Sequence, residues 1–106
     1  MENIQVIMDI IVHGGNARSK AMEAIQQASE GKFEEAVRHL EEAEQELNRA
    51  HNVQTCLIQE EARGNKTELS LLMVHAQDHL MNAITVTDLS REIIRLHEKL
   101  FEIKDQ

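Results

Sequence analysis

The chain has 106 residues, a formal net charge of −8, no proline, Trp or Tyr, and two phenylalanines. This acidic balance argues against nucleic-acid binding, which needs a basic surface, and against binding to anionic membranes. The composition favours one small domain, residues 1–106, built from long helices.

The single cysteine and the apolar runs indicate in which cellular compartment the protein is expected. One cysteine, Cys56, excludes an intrachain disulfide and favours a reducing compartment, where we interpret Cys56 as a small packing residue. The start of the chain lacks the basic and apolar pattern of a signal peptide. No uninterrupted apolar run has the length of a membrane span. We therefore expect a protein of a reducing compartment without direct membrane insertion.

The first predicted helix spans about residues 2–30. Gly31 follows it, at the position where helices commonly end in glycine. Gly14 and Gly15 lie inside the helix and cost about 1 kcal/mol each relative to alanine. They indicate either a kink or a place where another helix or an anionic group approaches the backbone. The apolar stripe comprises Ile4, Ile7, Met8, Ile11, Ala21, Met22, Ile25 and Ala28.

The second predicted helix spans about residues 33–63 and ends at Gly64 and Asn65. Its apolar residues alternate steps of three and four from Phe33 to Ile58, as on one face of a helix. The helix also carries an acidic run, which we interpret as a solvent-exposed face: Glu41, Glu42, Glu44 and Glu46.

The third predicted helix spans about residues 67–104, with Thr67 as its N-cap. It carries two apolar stripes. The first comprises Leu69, Leu72, Met73, Ala76, Leu80, Ala83 and Ile84. The second comprises Val86, Leu89, Ile93, Leu96, Leu100 and Ile103. A helix that is apolar on two sides should be buried on two sides, so we expect this helix to meet its own bundle and also a symmetry mate.

The connections between the three helices are only a few residues long, which places neighbouring helices antiparallel. The predicted fold class is therefore all-α, an antiparallel three-helix bundle of long helices that self-associates.

A polar cluster interrupts the third helix. His75, Asp78 and His79 stand at i, i+3 and i+4 and therefore share one helix face. They could form a buried polar network, a zinc site, or a site where an imidazole accepts and passes on a phosphoryl group. Zinc hydrolysis is the weakest of these, because Asp replaces the Glu of the His-x-x-Glu-His pattern and no further ligand is evident.

Residues 73–81, Met-Val-His-Ala-Gln-Asp-His-Leu-Met, resemble the active-site stretch of one family. This is the lactose/cellobiose-type enzyme IIA family of the bacterial phosphoenolpyruvate-dependent sugar phosphotransferase system. The resemblance extends over nearly the whole chain. Further matching segments are Gly-Asn-Ala-Arg-Ser-Lys at 15–20, Gly31-x-Phe33, Ala50-His51 and Gln54-Thr55.

The resemblance implies a cytoplasmic phosphotransferase component with a phosphohistidine intermediate. It would accept a phosphoryl group from the histidine-containing phosphocarrier protein and pass it to a cysteine of enzyme IIB. The transported sugar would be of the lactose, cellobiose or chitobiose type. His75 aligns with the phosphorylated histidine. Gln77 and His79 are implied as supporting residues, with Gln77 reaching the active histidine of a neighbour and His79 orienting or hydrogen-bonding.

The resemblance also implies a homotrimer in which Asp78 of three subunits shares one Mg²⁺ on the threefold axis. Repulsion among three carboxylates and the preference of Mg²⁺ for oxygen ligands agree with this. Ala76 stands where relatives often have glycine, and we expect its methyl group to narrow the approach to the site. The alternative function is a non-catalytic helical adaptor whose His/Asp cluster is structural and sets the trimer register.

Two expectations concern the surroundings of His75. With a helix start near Thr67, His75 would lie about two turns into the helix, beyond the free N–H groups of its first turn. Donors to a phosphoryl group would then come from neighbouring subunits and partners. His13, beside Gly14, is a weaker candidate for the site, and we expect the remaining histidines to be exposed or structural: His39, His51 and His97.

Overall fold

The computed structural model describes residues 2–105, with side chains from Ile4 to Lys104. Met1 and Gln106, which the predicted domain included, lie outside the described residues. Three helices make up the structure: α1 (Glu2–Ser29), α2 (Phe33–Ala62) and α3 (Leu71–Asp105). They pack side by side into a rod of 60 × 21 × 19 Å. The predicted all-α three-helix bundle is confirmed.

Both interhelical connections contain a glycine with positive φ close to the end of the preceding helix. Gly31 has a φ of 80° and Gly64 a φ of 97°, the left-handed conformation that glycine adopts without strain. At the first turn, the N–H of Lys32 donates to the carbonyl oxygen of Gln27 at 2.9 Å, which satisfies a carbonyl at the end of α1. Asn65 makes the corresponding bond to Glu60 at 2.9 Å. The helix ends predicted at these glycines are confirmed.

The predicted start of the third helix at Thr67 is wrong. The helix begins at Leu71, and Ser70 is its N-cap, because the Ser70 hydroxyl oxygen accepts the N–H of Met73 at 3.1 Å. The backbone carbonyl of Ser70 accepts the N–H of Val74 at 3.0 Å. Helix α3 is therefore about one turn shorter at its start than the sequence predicted.

The core is divided into two apolar clusters. The first lies near the start of α3, and its buried members are Ile7, Ile10, Ala50, Met73, Ala76 and Leu80. The second lies toward the opposite end, and its buried members are Ala24, Ala28, Ala36, Leu40 and Ile94. The pairing of α1 with α3 in both clusters means that these two helices run parallel, with α2 antiparallel to both. Among the described residues, those buried outside the clusters are all small: Gly14, Ala17, Ala21, Ala43, Ala83, Thr87 and Ser90.

The acidic run of α2 is not a wholly solvent-exposed face, contrary to the sequence interpretation. Three of its carboxylates pair with residues of other helices: Glu42 with Lys20 at 3.3 Å, Glu44 with Arg91 at 3.4 Å, and Glu46 with His13 at 2.6 Å. Only Glu41 is exposed without such a pair among the described residues. The run therefore links α2 to both neighbouring helices.

The two apolar stripes of α3 differ in how far the bundle buries them. From the first stripe, Met73, Ala76, Leu80 and Ala83 are buried in the bundle, whereas Leu69 and Leu72 are exposed. The second stripe stays largely uncovered in a single chain, with Leu89, Leu96, Leu100 and Ile103 between 49% and 68% exposed. Cys56 is also exposed, so its interpretation as a packing residue is wrong.

Candidate functional site

His75 lies on the surface of α3, and its ring stacks on the ring of His79. The ring centroids are 5.9 Å apart and the ring planes are inclined by 16°. His75 is exposed, whereas His79 is half-buried toward α1. Because ring nitrogens bond in the plane of the ring, this stacked arrangement positions the His75 ring without a direct hydrogen bond between the two imidazoles. An exposed imidazole with a supported ring is accessible to a second macromolecule.

His75 lies about one turn into α3, not two, because the helix begins at Leu71. Side chains of a helix lean toward its N-terminus, so the His75 ring extends over the first turn. A small apolar recess at this point is lined by Leu71, Leu72 and His75. The expectation that His75 lies about two turns into the helix is therefore wrong.

Asp78 is exposed and lies on the uncovered face of α3. Leu96 follows it by eighteen residues, about five helical turns, so Asp78 and Leu96 lie on one line along the helix. His75 is one turn away from Asp78 on the same side. Within a single chain this cluster is not a buried polar network, because His75 and Asp78 are both exposed. Within residues 2–105 no three His, Cys, Asp or Glu side chains converge on a metal position.

The glycine pair of α1 lies against α3. Helix α1 continues through Gly14 and Gly15 without a break, so these glycines do not interrupt it. A Cβ atom added at Gly14 would lie 3.5 Å from Cδ2 of His79 and 3.7 Å from Cα of Leu80. A Cβ atom at Gly15 would lie 3.2 Å from Nε2 of His79. Of the two sequence interpretations, close approach of another helix is the correct one, and the approaching residue is His79.

An open groove borders His79 on the α1 side. It is lined by Gly15, Arg18, Ser19, Met22, Glu23, Gln26 and His79. Arg18 and Ser19, from the Ala-Arg-Ser segment singled out in the sequence, thus line the groove that borders His79. The sequence motif indicated this segment but not its position beside His79.

Gln77 lies on the other flank of α3. It stands two positions after His75, which places their side chains about 160° apart around the helix. Gln77 is half-buried against α2, where its Oε1 atom accepts a hydrogen bond from Nε2 of Gln54. Within one chain Gln77 therefore cannot reach His75. In the sequence, Gln54 stands in one of the matching segments, and nothing there indicates its contact with Gln77.

Two other sequence expectations are corrected. His13 is directed to α2, where its Nδ1 atom lies 2.6 Å from Oε2 of Glu46, so it is engaged in an interhelical pair. Ala76 is fully buried in the first apolar cluster. Its methyl group packs inside the bundle, on the side of α3 opposite Asp78, and does not narrow the approach to His75.

The family model for the lactose/cellobiose-specific IIA subunit of the PTS system matches residues 5–98. The chain belongs to this family. It is 61% identical over 98 residues to the lichenan-specific phosphotransferase enzyme IIA component of Bacillus subtilis, covering 92% of this chain and 89% of that protein. It is 45% identical over 96 residues to the N,N'-diacetylchitobiose-specific EIIA component of Escherichia coli K12, covering 91% and 83%.

Solved structures of the family have the same fold. The crystal structure of the cellobiose-specific enzyme IIA from Bacillus anthracis matches with a TM-score of 0.90 and 54% identity, covering 92% of this chain and 90% of that chain. A chain of the IIA(chitobiose)–HPr complex of Escherichia coli matches with a TM-score of 0.78 and 44% identity, covering 91% and 93%.

The chain is thus a phosphotransferase-system IIA component. The non-catalytic adaptor hypothesis is not favoured, since relatives that match nearly the full chain are phosphotransferase components. Within residues 2–105, none of the helices has both the length and the apolar character needed to cross a membrane.

Proposed function

We propose that this IIA component carries a phosphoryl group on His75. It accepts the group in the cytoplasm from the histidine-containing phosphocarrier protein and passes it to a cysteine of enzyme IIB, during uptake of a lactose, cellobiose or chitobiose-type sugar. The observation that carries the proposal is the exposed His75 ring, supported from behind by His79 in the family's motif. One relative's solved structure is a complex with HPr, the histidine phosphocarrier.

The chemistry requires little machinery from this chain. A neutral imidazole nitrogen of His75 attacks phosphorus as the N–P bond to the donor's imidazole breaks, and the donor ring leaves with the electron pair of that bond. In the second transfer a cysteine thiolate of enzyme IIB attacks phosphorus, and the N–P bond to His75 breaks. The exposed position of His75 leaves room for in-line approach by both partners. The net charge of −8 favours encounter with partners that present basic rims.

The proposed assembly is a homotrimer formed through the uncovered stripe of α3. Supporting this are the exposed side chains of Leu89, Leu96, Leu100 and Ile103, which form one continuous apolar face on a single helix. With three parallel copies of α3 around an axis, the two flanks of adjacent helices face each other. Gln77 of one chain then comes to the side of the neighbour that bears His75, so the separation of these residues within one chain is not an obstacle.

The same assembly accommodates the proposed magnesium ion. Asp78 lies in line with the apolar stripe, so three copies converge on the axis, and each chain contributes one exposed carboxylate. A site of carboxylate oxygens completed by water suits Mg²⁺, which would offset the mutual repulsion of the three charges. Asp78 of the three subunits would hold the ion. The proposed role of the ion is in the assembly of the trimer.

The test of the function is phosphoryl transfer in a reconstituted system. The protein is incubated with phosphoenolpyruvate and the general phosphotransfer proteins, and the product is examined for an acid-labile mass gain. We expect one phosphoryl group per chain in the wild type and in His51→Ala, an exposed histidine of α2 used as the matched control. His75→Ala should gain none. Equal labelling of His75→Ala would remove His75 from the mechanism.

A further inference from the structure

Gln54 of α2 and Gln77 of α3 form an amide pair across the bundle. Both residues are half-buried, and Nε2 of Gln54 donates to Oε1 of Gln77. The other end of the Gln77 amide contacts the thioether of Met73, with Nε2 3.8 Å from Sδ. In this arrangement the Gln77 oxygen is directed to Gln54 and its nitrogen to Met73.

The orientation decides what Gln77 can offer to another molecule. A glutamine amide has an acceptor oxygen and an NH₂ group with two donors. Gln54 occupies the oxygen, and the sulfur of Met73 is a weak acceptor for one N–H. The second N–H has no acceptor among residues 4–104. Gln77 is therefore held as a hydrogen-bond donor.

A donor is what a phosphoryl group requires. Its oxygens carry negative charge and accept charge-assisted hydrogen bonds, whereas an amide oxygen in the same place would repel them. We propose that Gln54 is a positioning residue, which fixes the Gln77 amide with its NH₂ group available to the phosphoryl group on His75 of a neighbouring chain. This inference rests on the proposed function, and in particular on the proposed role of Gln77.

The segment around Gln54 is itself well fixed. Ala50, one turn before it, is fully buried in the first apolar cluster, and Leu57, three residues after it, packs against the same cluster. The hydroxyl of Thr55 donates to the carbonyl oxygen of His51 at 2.9 Å. The packing of Ala50 and Leu57 thus holds this part of α2, which carries Gln54, against the first apolar cluster.

Two substitutions at Gln54 distinguish a reversed orientation of the Gln77 amide from simple loss of the hydrogen bond. Gln54→Glu has nearly the same shape but can only accept, so Gln77 should turn its NH₂ group inward and present its oxygen. Gln54→Leu removes the hydrogen bond without imposing the reverse orientation. Gln59→Glu is the matched control, since it adds the same charge at an exposed site of α2 five residues away. Urea unfolding of each variant establishes that it is folded.

The readout is single-turnover transfer from the phosphorylated phosphocarrier protein at several concentrations. We expect Gln54→Glu to lower the maximal rate about tenfold, the effect of losing one charge-assisted hydrogen bond, with the half-saturating concentration unchanged. Gln54→Leu should lose less, and Gln59→Glu should transfer like the wild type. In a Gln77→Leu background, which itself loses about as much, Gln54→Glu should cause no further loss.

The results that would contradict the inference differ from the result that would contradict the proposed function. The inference is overturned if Gln54→Glu behaves like Gln59→Glu, or if its effect persists in the Gln77→Leu background. Normal transfer by Gln77→Leu would overturn both the role of Gln77 and the inference, while leaving His75 as the acceptor. Equal labelling of His75→Ala would instead defeat the proposed function itself.

Discussion

His79 of α3 packs directly against Gly15 of α1, with its Nε2 atom 3.2 Å from the position that a Cβ atom at Gly15 would occupy. That distance is too short for a methyl group unless the imidazole moves. The groove beside His79 gives the ring room to move, so the cost falls on the position of the ring more than on the fold. His75, stacked on His79, would be displaced as well.

We therefore expect Gly15→Ala to lower the rate of phosphoryl transfer several-fold while changing the free energy of unfolding little, because small misplacements of reacting groups are costly. Gly14→Ala is the matched control, since its Cβ atom would make ordinary contacts of 3.5 and 3.7 Å and alanine favours the helix. Rates and urea midpoints of both variants provide the measurement. Equal transfer rates for the two variants would mean that the position of His79 does not matter.

The first interhelical turn should be sensitive to substitution. Gly31→Ala would place a Cβ atom 2.7 Å from Cε2 of Phe101 and would also force alanine to a φ of 80°. We expect the variant to be destabilised by at least about 2 kcal/mol, as measured by urea unfolding. Gly64→Ala has a φ of 97° but no atom within 4 Å of its Cβ, so it should lose only about 1 kcal/mol. If the two variants lose the same amount, contact with Phe101 contributes nothing.

Thr87 carries an unsatisfied hydroxyl in the middle of the bundle. It is 1% exposed, and its Oγ1 atom has no hydrogen-bond partner among the described residues. Thr87→Val keeps the shape and removes the polar atom, so we expect about 1 kcal/mol of stabilisation in thermal or urea unfolding. Ser90→Ala is the control, because the Ser90 hydroxyl donates to the Thr87 carbonyl at 2.7 Å and should not become more stable on substitution. A less stable Thr87→Val protein would contradict this account.

Self-association should depend on the uncovered stripe of α3. Leu96, 56% exposed, lies at its centre, and three buried carboxylates at this point would be strongly unfavourable. We expect Leu96→Glu to be monomeric by sedimentation at concentrations where the wild type forms the proposed trimer. Leu69→Glu, at an 81% exposed leucine outside α3, should keep the wild-type assembly. A trimeric Leu96→Glu protein would place the interface elsewhere.

Asp78→Leu should abolish binding of Mg²⁺ and leave the trimer intact, because the substitution removes the repulsion that the ion offsets. Calorimetric titration with Mg²⁺ and sedimentation in the presence of a chelator measure the two effects separately. Asp88→Leu, which removes another exposed carboxylate of α3, should affect neither. Complete dissociation of Asp78→Leu would show that the carboxylates hold the subunits together.

The sequence predicted the helices well where the signals were local. Gly31 and Gly64 mark the ends of α1 and α2 because both adopt positive φ, which few other residues do without strain. The start of α3 was misplaced because the segment Thr67-Glu-Leu-Ser70 offers two capping hydroxyls, and only the structure shows Ser70 bonded to Met73. Two equivalent local signals cannot be ranked by local reasoning.

Contacts between distant segments could not be predicted. The acidic run of α2 reads as a polar face, yet the partners of Glu42 and Glu44 are Lys20 and Arg91, on different helices. The Gln54–Gln77 pair could not be predicted for the same reason, since no local pattern at either residue indicates the other. The candidate site was found because its residues lie within five positions on one helix, so helical geometry alone brought them together.

The division of the core has a dynamic consequence. The end of the rod that bears His75 is stabilised by Ile10, Met73 and Leu80, and the far end by Leu40, Ile94 and the edge-to-face pair of Phe33 and Phe101. Among the described residues, the buried side chains between the two ends are all small. We therefore expect each end to act as a separate cooperative unit in local unfolding, so that transient opening around Phe101 would leave the histidine-bearing end closed.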